Sequence, residues 1–383
     1  MVEDRSPCAT FQNQMKIIFR TDSSMDIGTG HVMRCLTLAE ALHNKGAKVS
    51  FICRDLRGNL NDFVERKGFT LYRLLNSAKQ FRHDEQNIAH AQRLGVDWQT
   101  DAEQTKSILA ENGYVDWLII DNYSLGKNWE TRMRPYVKGL MVIDDLADRF
   151  HDCDLLLDQN FYENFETRYD ELVPYNCRKL LGPKYALLRP EFAETRKNLK
   201  QRNCKVNRIL VSFGGNDPTD ETTKSLKAIM SLNRPDIAVD VVVGSSNPHK
   251  EKIERICSAM TNASFYCQIN NMAQLMADAD LSIGAGGATT WERCCLGLPS
   301  IVMTLAENQR ELANHLEKEG IVMHLGWHKE VSEKDMWYAV ENLLTDSDKR
   351  KKMSLKGKEM VDGMGAKKVV EKIMKVNLNE TAS

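Results

Sequence analysis

Short apolar runs, each followed by an amphipathic stretch, recur along most of the chain and predict alternating strands and helices. The first run, residues 16–20, precedes a predicted helix over residues 31–45, which Gly46 ends. Further strands are predicted at residues 48–53, 116–121, 140–144, 153–158, 208–213, 238–244, 279–283 and 300–304. Because these runs are almost continuously apolar, they are typical of parallel strands covered by helices on both faces. The pattern therefore predicts the α/β class with doubly wound, Rossmann-like domains.

The alternation of predicted strands and helices is interrupted once, between residues 181 and 190, and a charged helical stretch follows to about residue 205. We place the domain boundary here, with an N-terminal domain over residues 15–188 and a C-terminal domain over residues 189–383. Residues 1–14 are polar and are expected to form a flexible extension. Two such domains in tandem leave a cleft between the carboxyl ends of two sheets, where open α/β folds usually bind ligands.

The amino-acid composition argues against several classes of function. The chain has 383 residues, of which 42% are hydrophobic and 27% charged, as in soluble globular proteins. With 52 basic and 53 acidic residues, there is no electrostatic case for a nucleic acid or a membrane surface as partner. No apolar stretch reaches the roughly 20 residues of a membrane span. Ten cysteines without paired spacing predict reduced, mostly buried thiols in a cytoplasm and no structural zinc.

The loop before the helix over residues 31–45 carries the first candidate site. Gly28 and Gly30 would let backbone N–H groups face a ligand at the start of a helix, which favours anions. Met33 stands where a dinucleotide fingerprint needs a third glycine, which argues against NAD. The helix dipole should keep His31 neutral, a state suited to a general base. The alternative is that His31 only caps or packs the helix.

Polar residues near this loop have several possible roles. Arg20 and Asp22 are expected to bind substrate, although Asp22 could instead orient His31 or belong to an ordinary turn. Arg34 could meet an anionic substrate or be a solvated helix residue. Tyr123 could contact a sugar with its hydroxyl at the cleft edge. Acidic residues also end the predicted strands, where capping of the next helix is their commonest role: Asp121, Asp144, Asp145 and Asp158.

A second glycine-rich loop lies between the strand over residues 279–283 and a predicted helix. Its glycines and hydroxyls together predict a cradle for a pyrophosphate: Gly284, Gly286, Gly287, Thr289 and Thr290. Glu292 could accept both hydroxyls of a ribose. No lysine follows the loop, so it is not a Walker A loop and ATP hydrolysis is disfavoured. The alternative is a tight turn required only by packing.

Two further loops could complete this pocket. Gly215 lies in the loop over residues 214–219, which joins a predicted strand to a predicted helix. Asn308 and Gln309 follow the strand over residues 300–304, and their amides can bind phosphate or sugar. Each loop alone is a weak signal.

Taken together, six segments resemble the hydrolases that act on UDP-2,4-diacetamido-2,4,6-trideoxy-β-L-altropyranose in pseudaminic acid biosynthesis, and spore-coat polysaccharide proteins share the set. The segments are residues 20–34, 120–123, 143–148, 181–192, 213–218 and 284–292. The resemblance implies a two-domain, glycosyltransferase-B-like fold with an interdomain cleft, and no metal or other cofactor. It also implies cleavage of the bond between the sugar and UDP by water, with inversion at the anomeric carbon.

The same resemblance implies the residue roles. His31 would be the general base on the attacking water, and Tyr123 would lie near the reacting sugar. Glu292 would hold the ribose and Asn308 the phosphate or sugar. The remaining expected substrate contacts are Gly30, Gly215, Gly287, Ala288, Thr289 and Gln309. The extension over residues 1–14 and a polar insertion over residues 77–104 depart from the family pattern and leave the oligomeric state open.

Three other functions stay open on the sequence alone. One is a glycosyltransferase of the same fold, which would move the sugar to an acceptor other than water. The second is a UDP-sugar hydrolase that also epimerises the sugar at C2. The third is a sensor that binds a UDP-sugar without cleaving it.

Overall fold

The computed structural model describes residues 14–75, 90–200, 202 and 205–378. All but the last residue of the predicted extension, and residues 77–89 of the predicted insertion, lie outside this range. The N-terminal half of the chain is built on one parallel sheet with the strand order β3-β2-β1-β4-β5-β6-β7. Its strands are β1 Lys16–Thr21, β2 Lys48–Arg54, β3 Thr70–Leu74, β4 Val115–Asp121, β5 Val137–Ile143, β6 Leu155–Asp158 and β7 Arg178–Leu181. Its helices are α1 Gly30–His43, α2 Asn61–Arg66, α3 Trp98–Asn112 and α4 Lys127–Met133.

A connecting helix, α5 Pro190–Lys197, leads into a second parallel sheet with the order β10-β9-β8-β11-β12-β13. Its strands are β8 Arg208–Ser212, β9 Ala238–Val243, β10 Ala263–Cys267, β11 Leu281–Ala285, β12 Ser300–Thr304 and β13 Met323–Trp327. The helices are α6 Glu221–Ser231, α7 Lys250–Ala259, α8 Met272–Asp278, α9 Thr289–Cys295, α10 Arg310–Lys318, α11 Glu333–Thr345, α12 Ser347–Met360 and α13 Gly365–Leu378. The α/β class and the two doubly wound sheets are therefore confirmed.

The nine predicted strands are all present, but four strands escaped the pattern. These four, β3, β7, β10 and β13, are the outermost strands of the two sheets. Their residues are largely half-buried or exposed, whereas β1, β4, β8 and β11 are buried almost throughout. An edge strand is covered on fewer sides, so its sequence lacks the continuous apolar run that identifies a central strand.

The last helix departs from a simple division of the chain at residue 189. Helix α13 packs on α1, and its Val369, Val370 and Ile373 belong to the apolar core of the first domain. Gly365 lets the helix begin against the backbone of the first domain, because a Cβ atom there would lie 2.2 Å from the carbonyl oxygen of Ala186. The final segment of the predicted C-terminal domain over residues 189–383 therefore adds to the apolar core around the first sheet.

Eight cysteines in the described part of the chain are unpaired, and all but Cys267 are buried. The burial of these thiols agrees with the expectation from the sequence. None of the helices formed by the described residues has the length and apolarity that crossing a bilayer requires.

The packing of α13 predicts that its apolar face stabilises the first domain. Ile373 is fully buried, so Ile373→Ala should lower the free energy of unfolding by about 2–5 kcal/mol. Lys372→Ala, at an exposed position of the same helix, serves as the control and should change stability by less than about 0.5 kcal/mol. Urea denaturation followed by circular dichroism measures both. Equal stability of the two variants would contradict the assignment of α13 to this core.

Candidate active site

The first group of site residues lies where β1 and β4 end side by side. The two strands are paired, with Thr21 opposite Asp121. After β1 the chain forms a compact turn, in which Ser24 accepts hydrogen bonds from the N–H groups of Ile27 and Gly28 at 3.0 and 2.9 Å. Gly28 has a φ of +82°, a conformation that favours glycine. The turn delivers Gly30 to the exposed start of α1, with His31 directly behind it.

His31 and Asp121 form a close pair. The distance between His31 Nδ1 and Asp121 Oδ1 is 2.6 Å, and the carboxylate is fully buried. Because the carboxylate can only accept, Nδ1 carries the proton of this hydrogen bond, and in a neutral imidazole Nε2 is then the acceptor. In the sequence, Asp121 is one of several acidic strand ends, for which helix capping is the default role. The structure instead gives it the role of orienting His31.

Arg34 holds the same carboxylate from the other side. Its Nε donates to Asp121 Oδ2 at 2.6 Å and its NH2 group to Oδ1 at 2.7 Å, a bidentate arrangement. Burial alone would raise the pKa of Asp121, but Arg34 and His31 outweigh burial and hold this pKa well below its usual range. Arg34 is itself buried and bound to two carboxylates, so it is not a solvated helix residue, whereas its contact with an anionic substrate stays a prediction.

Tyr123 and Asp145 extend this network. The Tyr123 hydroxyl donates to one oxygen of Asp145, and Arg34 NH1 donates to the other at 2.8 Å. The ring of Tyr123 meets the His31 imidazole edge to face, with 4.4 Å between the ring centroids. Burial and the neighbouring Asp145 carboxylate raise the pKa of Tyr123, so its phenol stays protonated. The structure thus brings the predicted Tyr123 next to the predicted base.

Arg20 and Asp22, which are predicted to contact substrate, are buried in the structure and bind one another. Arg20 is fully buried and donates to Asp101 at 2.6 Å and to Asp22 at 2.7 Å. Asp22 is almost fully buried and also accepts from the backbone N–H of Arg54 at 2.6 Å and from Asn122 Nδ2 at 2.8 Å. With their polar groups turned to one another, the two side chains stabilise the loops around the site rather than facing its opening.

The second group lies at the ends of β11 and β12 in the other domain. Gly287, Ala288 and Thr289 are half-buried or exposed where β11 leads into α9. A Cβ atom on Gly287 would lie 3.2 Å from Gln309 Nε2, so the loops after β11 and β12 touch. Gln309 Oε1 accepts the N–H of Leu305 at 3.0 Å, which directs the amide nitrogen toward Gly287.

Other positions of these loops serve packing. A Cβ atom on Gly284 would lie 2.3 Å from the carbonyl oxygen of Ser212, so this glycine permits close approach of β8 and β11. Thr290 is buried and accepts from Arg293 at 2.9 Å. The packing alternative therefore holds for these two positions. Gly215 and Asn308 are exposed on neighbouring loops, as expected for residues that could reach a ligand.

Glu292 is the acidic group of the second site. Its Oε1 lies 3.4 Å from the NH2 group of Arg189, a residue of the segment that joins the domains. Burial raises the pKa of Glu292, although the charge of Arg189 opposes this. Arg189 also pairs with Glu191 at 2.9 Å, so the position of Glu292 is tied to the connecting segment. Arg189 was not predicted as a site residue, because a single arginine in a linker belongs to no recognisable motif.

The architecture is the glycosyltransferase-B fold. The chain is similar to the crystal structure of MurG from Acinetobacter baumannii, with a TM-score of 0.61, 13% identity, and 94% of this chain and 99% of that chain covered. It is also similar to WaaG, a glycosyltransferase of lipopolysaccharide biosynthesis, with a TM-score of 0.53, 16% identity, and coverage of 93% and 99%. Residues 209–372 match the glycosyltransferase family 28 C-terminal domain.

Relatives in sequence narrow the resemblance. The UDP-2,4-diacetamido-2,4,6-trideoxy-beta-L-altropyranose hydrolase of Campylobacter jejuni is 27% identical over 313 residues, which cover 80% of this chain and 97% of that protein. An uncharacterised protein of Methanocaldococcus jannaschii is 26% identical, over 82% of this chain and 61% of its own length. The spore coat polysaccharide biosynthesis protein SpsG of Bacillus subtilis is 32% identical, over 50% and 57%. The resemblance identified in the motifs is thereby confirmed.

The buried Asp121 pair predicts a pH-dependent contribution to stability. The folded-state pKa lies below the unfolded value of about 3.9, so the charge stabilises the fold above pH 4 and this contribution is lost as the pH falls further. Asp121→Asn should cost about 3–5 kcal/mol at pH 7, because it breaks a buried ion pair. The difference from wild type should shrink below pH 4. Urea denaturation between pH 7 and pH 3 tests this, and a difference independent of pH would contradict it.

Proposed function

We propose that the protein is a hydrolase that releases UDP and the free sugar from UDP-2,4-diacetamido-2,4,6-trideoxy-β-L-altropyranose. The observation that carries the proposal is the His31–Asp121 pair directly behind the exposed Gly30 at the start of α1, where Nε2 of the neutral imidazole would be the base. The Campylobacter jejuni relative, which this chain spans over 97% of its length, supports the choice of substrate.

In the proposed reaction His31 activates a water molecule. Nε2 takes a proton from the water while Nδ1–H stays bonded to Asp121, which stabilises the imidazolium that forms. The water oxygen bonds to the anomeric carbon from the face opposite the nucleotide, and the bond from this carbon to the UDP oxygen breaks. The sugar leaves with inverted configuration, and the imidazolium returns its proton to solvent.

The other domain would hold the nucleotide. Glu292 would accept the ribose hydroxyls, and the backbone of residues 287–289 with Gln309 would face the diphosphate. Diphosphate leaves readily once N–H donors stabilise the charge that develops on it. Gly30, Tyr123, Gly215 and Asn308 would line the space around the sugar and phosphates.

A glycosyltransferase is the second candidate, favoured by the match of residues 209–372 to glycosyltransferase family 28 and by the fold shared with MurG. The two reactions differ in their products. Incubation with UDP-2,4-diacetamido sugars in the absence of any acceptor should give free sugar and UDP in equal amounts, which NMR detects. No release of sugar without an added acceptor would favour the transferase. Deuterium from the solvent at C2 of the product would instead indicate a hydrolysing epimerase.

Replacement of the proposed base should affect turnover and not nucleotide binding. A positioned base contributes about 10²–10⁴-fold to the rate, so His31→Gln should lower kcat by about this factor while the Kd for UDP changes less than twofold. His43→Gln, at an exposed position near the end of the same helix, is the matched control and should behave as wild type. A kcat for His31→Gln near that of wild type would refute the assignment.

Replacement of Glu292 should affect nucleotide binding through the ribose. Hydrogen bonds to charged groups contribute about 1.5–3 kcal/mol, so Glu292→Gln should weaken UDP about tenfold or more. The same variant should bind 2′,3′-dideoxy-UDP as wild type does, because that ligand lacks both hydroxyls. Calorimetry measures the affinities, with Glu251→Gln on α7 as an exposed control. An equal loss for both ligands would place Glu292 away from the ribose.

A further inference from the structure

A line of buried hydrogen bonds runs between the two groups of site residues. It starts in the C-terminal domain at Trp291, the neighbour of Glu292 on α9. Trp291 Nε1 donates to Asn160 Oδ1 at 3.2 Å, and Asn160 Nδ2 donates to the hydroxyl of Tyr162 at 3.2 Å. The Tyr162 hydroxyl in turn donates to the backbone carbonyl of Asp145 at 3.0 Å. Asn160 and Tyr162 belong to the segment after β6, so this segment joins α9 to Asp145.

Asp145 is the point where this line meets the proposed catalytic network. Its side chain accepts from Tyr123 and from Arg34, and Arg34 holds Asp121 against His31. A shift of the Asp145 backbone would therefore move two groups that contact the proposed base or its partner. Trp291 is fully buried, and Tyr162 is 2% exposed. Water is excluded from most of this path, which makes its hydrogen bonds hard to replace.

Arg168 supports the same carbonyl from a second direction. Its guanidinium lies over the ring of Tyr162, 3.6 Å from the centroid. Its NH1 group donates to the carbonyl of Asp145 at 3.3 Å and its NH2 group to that of Leu146 at 2.9 Å. The NH2 group also lies 3.6 Å from the carboxylate of Glu311 on α10 of the other domain. Arg168 thus contacts both domains, and Tyr162 belongs to the same buried apolar cluster as Trp291 of α9.

We propose that Tyr162 is a positioning residue that fixes Asp145, and through it the His31–Asp121 pair, relative to α9 of the nucleotide-binding domain. The inference rests on the proposed function, because it assumes that α9 carries the ribose contact and that His31 is the base. Binding of UDP at α9 is then communicated to His31 through Trp291, Asn160, Tyr162 and Asp145. Correct placement of the base depends on the contact between the domains and not on the first domain alone.

Tyr162→Phe tests the proposal, because it removes only the hydroxyl and keeps the ring on which Arg168 lies. We expect kcat to fall about fivefold, the effect of one buried hydrogen bond, while the Kd for UDP stays within twofold of wild type. Arg168→Met is the second variant, since it retains an apolar stem over the ring but loses the bonds to the carbonyls. It should lower kcat in the same way. Tyr72→Phe is the matched control, because Tyr72 lies on the edge strand β3 and its hydroxyl donates to Asn112 at 2.6 Å.

A readout independent of turnover is the NMR signal of the His31 ring in histidine-labelled protein, assigned with His31→Gln. Addition of UDP should shift this signal in wild type and in Tyr72→Phe, and shift it less in Tyr162→Phe at equal saturation. An unchanged kcat and an unchanged His31 response in Tyr162→Phe would overturn the inference. So would a UDP affinity that falls as much as kcat, since Tyr162 would then only support binding.

Different results would refute the proposed hydrolase activity and the positioning role of Tyr162. If wild-type protein binds no UDP, the proposed function is refuted before any variant is made, and the positioning role falls with it. If wild type binds and hydrolyses the UDP-sugar but Tyr162→Phe behaves as Tyr72→Phe does, only the positioning role is refuted.

Discussion

The Asp121 carboxylate is the group on which the N-terminal site depends. It is buried at the end of a central strand, where an unpaired charge would be strongly unfavourable. Arg34 and His31, one turn apart on α1, both bind it, so one buried charge fixes the helix against the sheet and the imidazole against the carboxylate. Structural stability and the orientation of the proposed base are therefore consequences of the same interaction, and neither can be altered without the other.

The two-domain arrangement assigns different physical tasks to the two sheets. The first sheet carries a buried ionic network that orients His31, the proposed base, whereas the second carries open loops whose backbone could approach an anion. The connecting segments are not passive spacers between them. Arg189 reaches Glu292 from the segment that follows β7, and Asn160 reaches Trp291 from the segment that follows β6. The geometry of the cleft is thus set by polar contacts as well as by apolar packing.

The sequence predicted local structure best where a pattern of residues is typical of one kind of element. Buried central strands and the positions of the glycine-rich loops were predicted correctly, because a continuous apolar run is typical of a covered parallel strand and clustered glycines disfavour regular helix and strand. Edge strands were missed, since a half-exposed strand such as β10 does not differ in pattern from a loop. Arg20, Asp22 and Arg34 show the same limit for charged residues. Arg20 and Asp22 bind each other, but other partners, Asp101 and Asp121 among them, are distant in sequence, and only the fold reveals that these charges are buried.

Helix α13 has a consequence for how the protein is made. The first domain is synthesised first, yet four buried side chains of its core come from α13: Ala366, Val369, Val370 and Ile373. Until that helix has left the ribosome, the apolar face of α1 that it covers is open to water and to other nascent chains. Folding of the N-terminal half is therefore completed only after the C-terminal half has been translated, and a chaperone that shields α1 during this interval would act on the site-bearing helix itself.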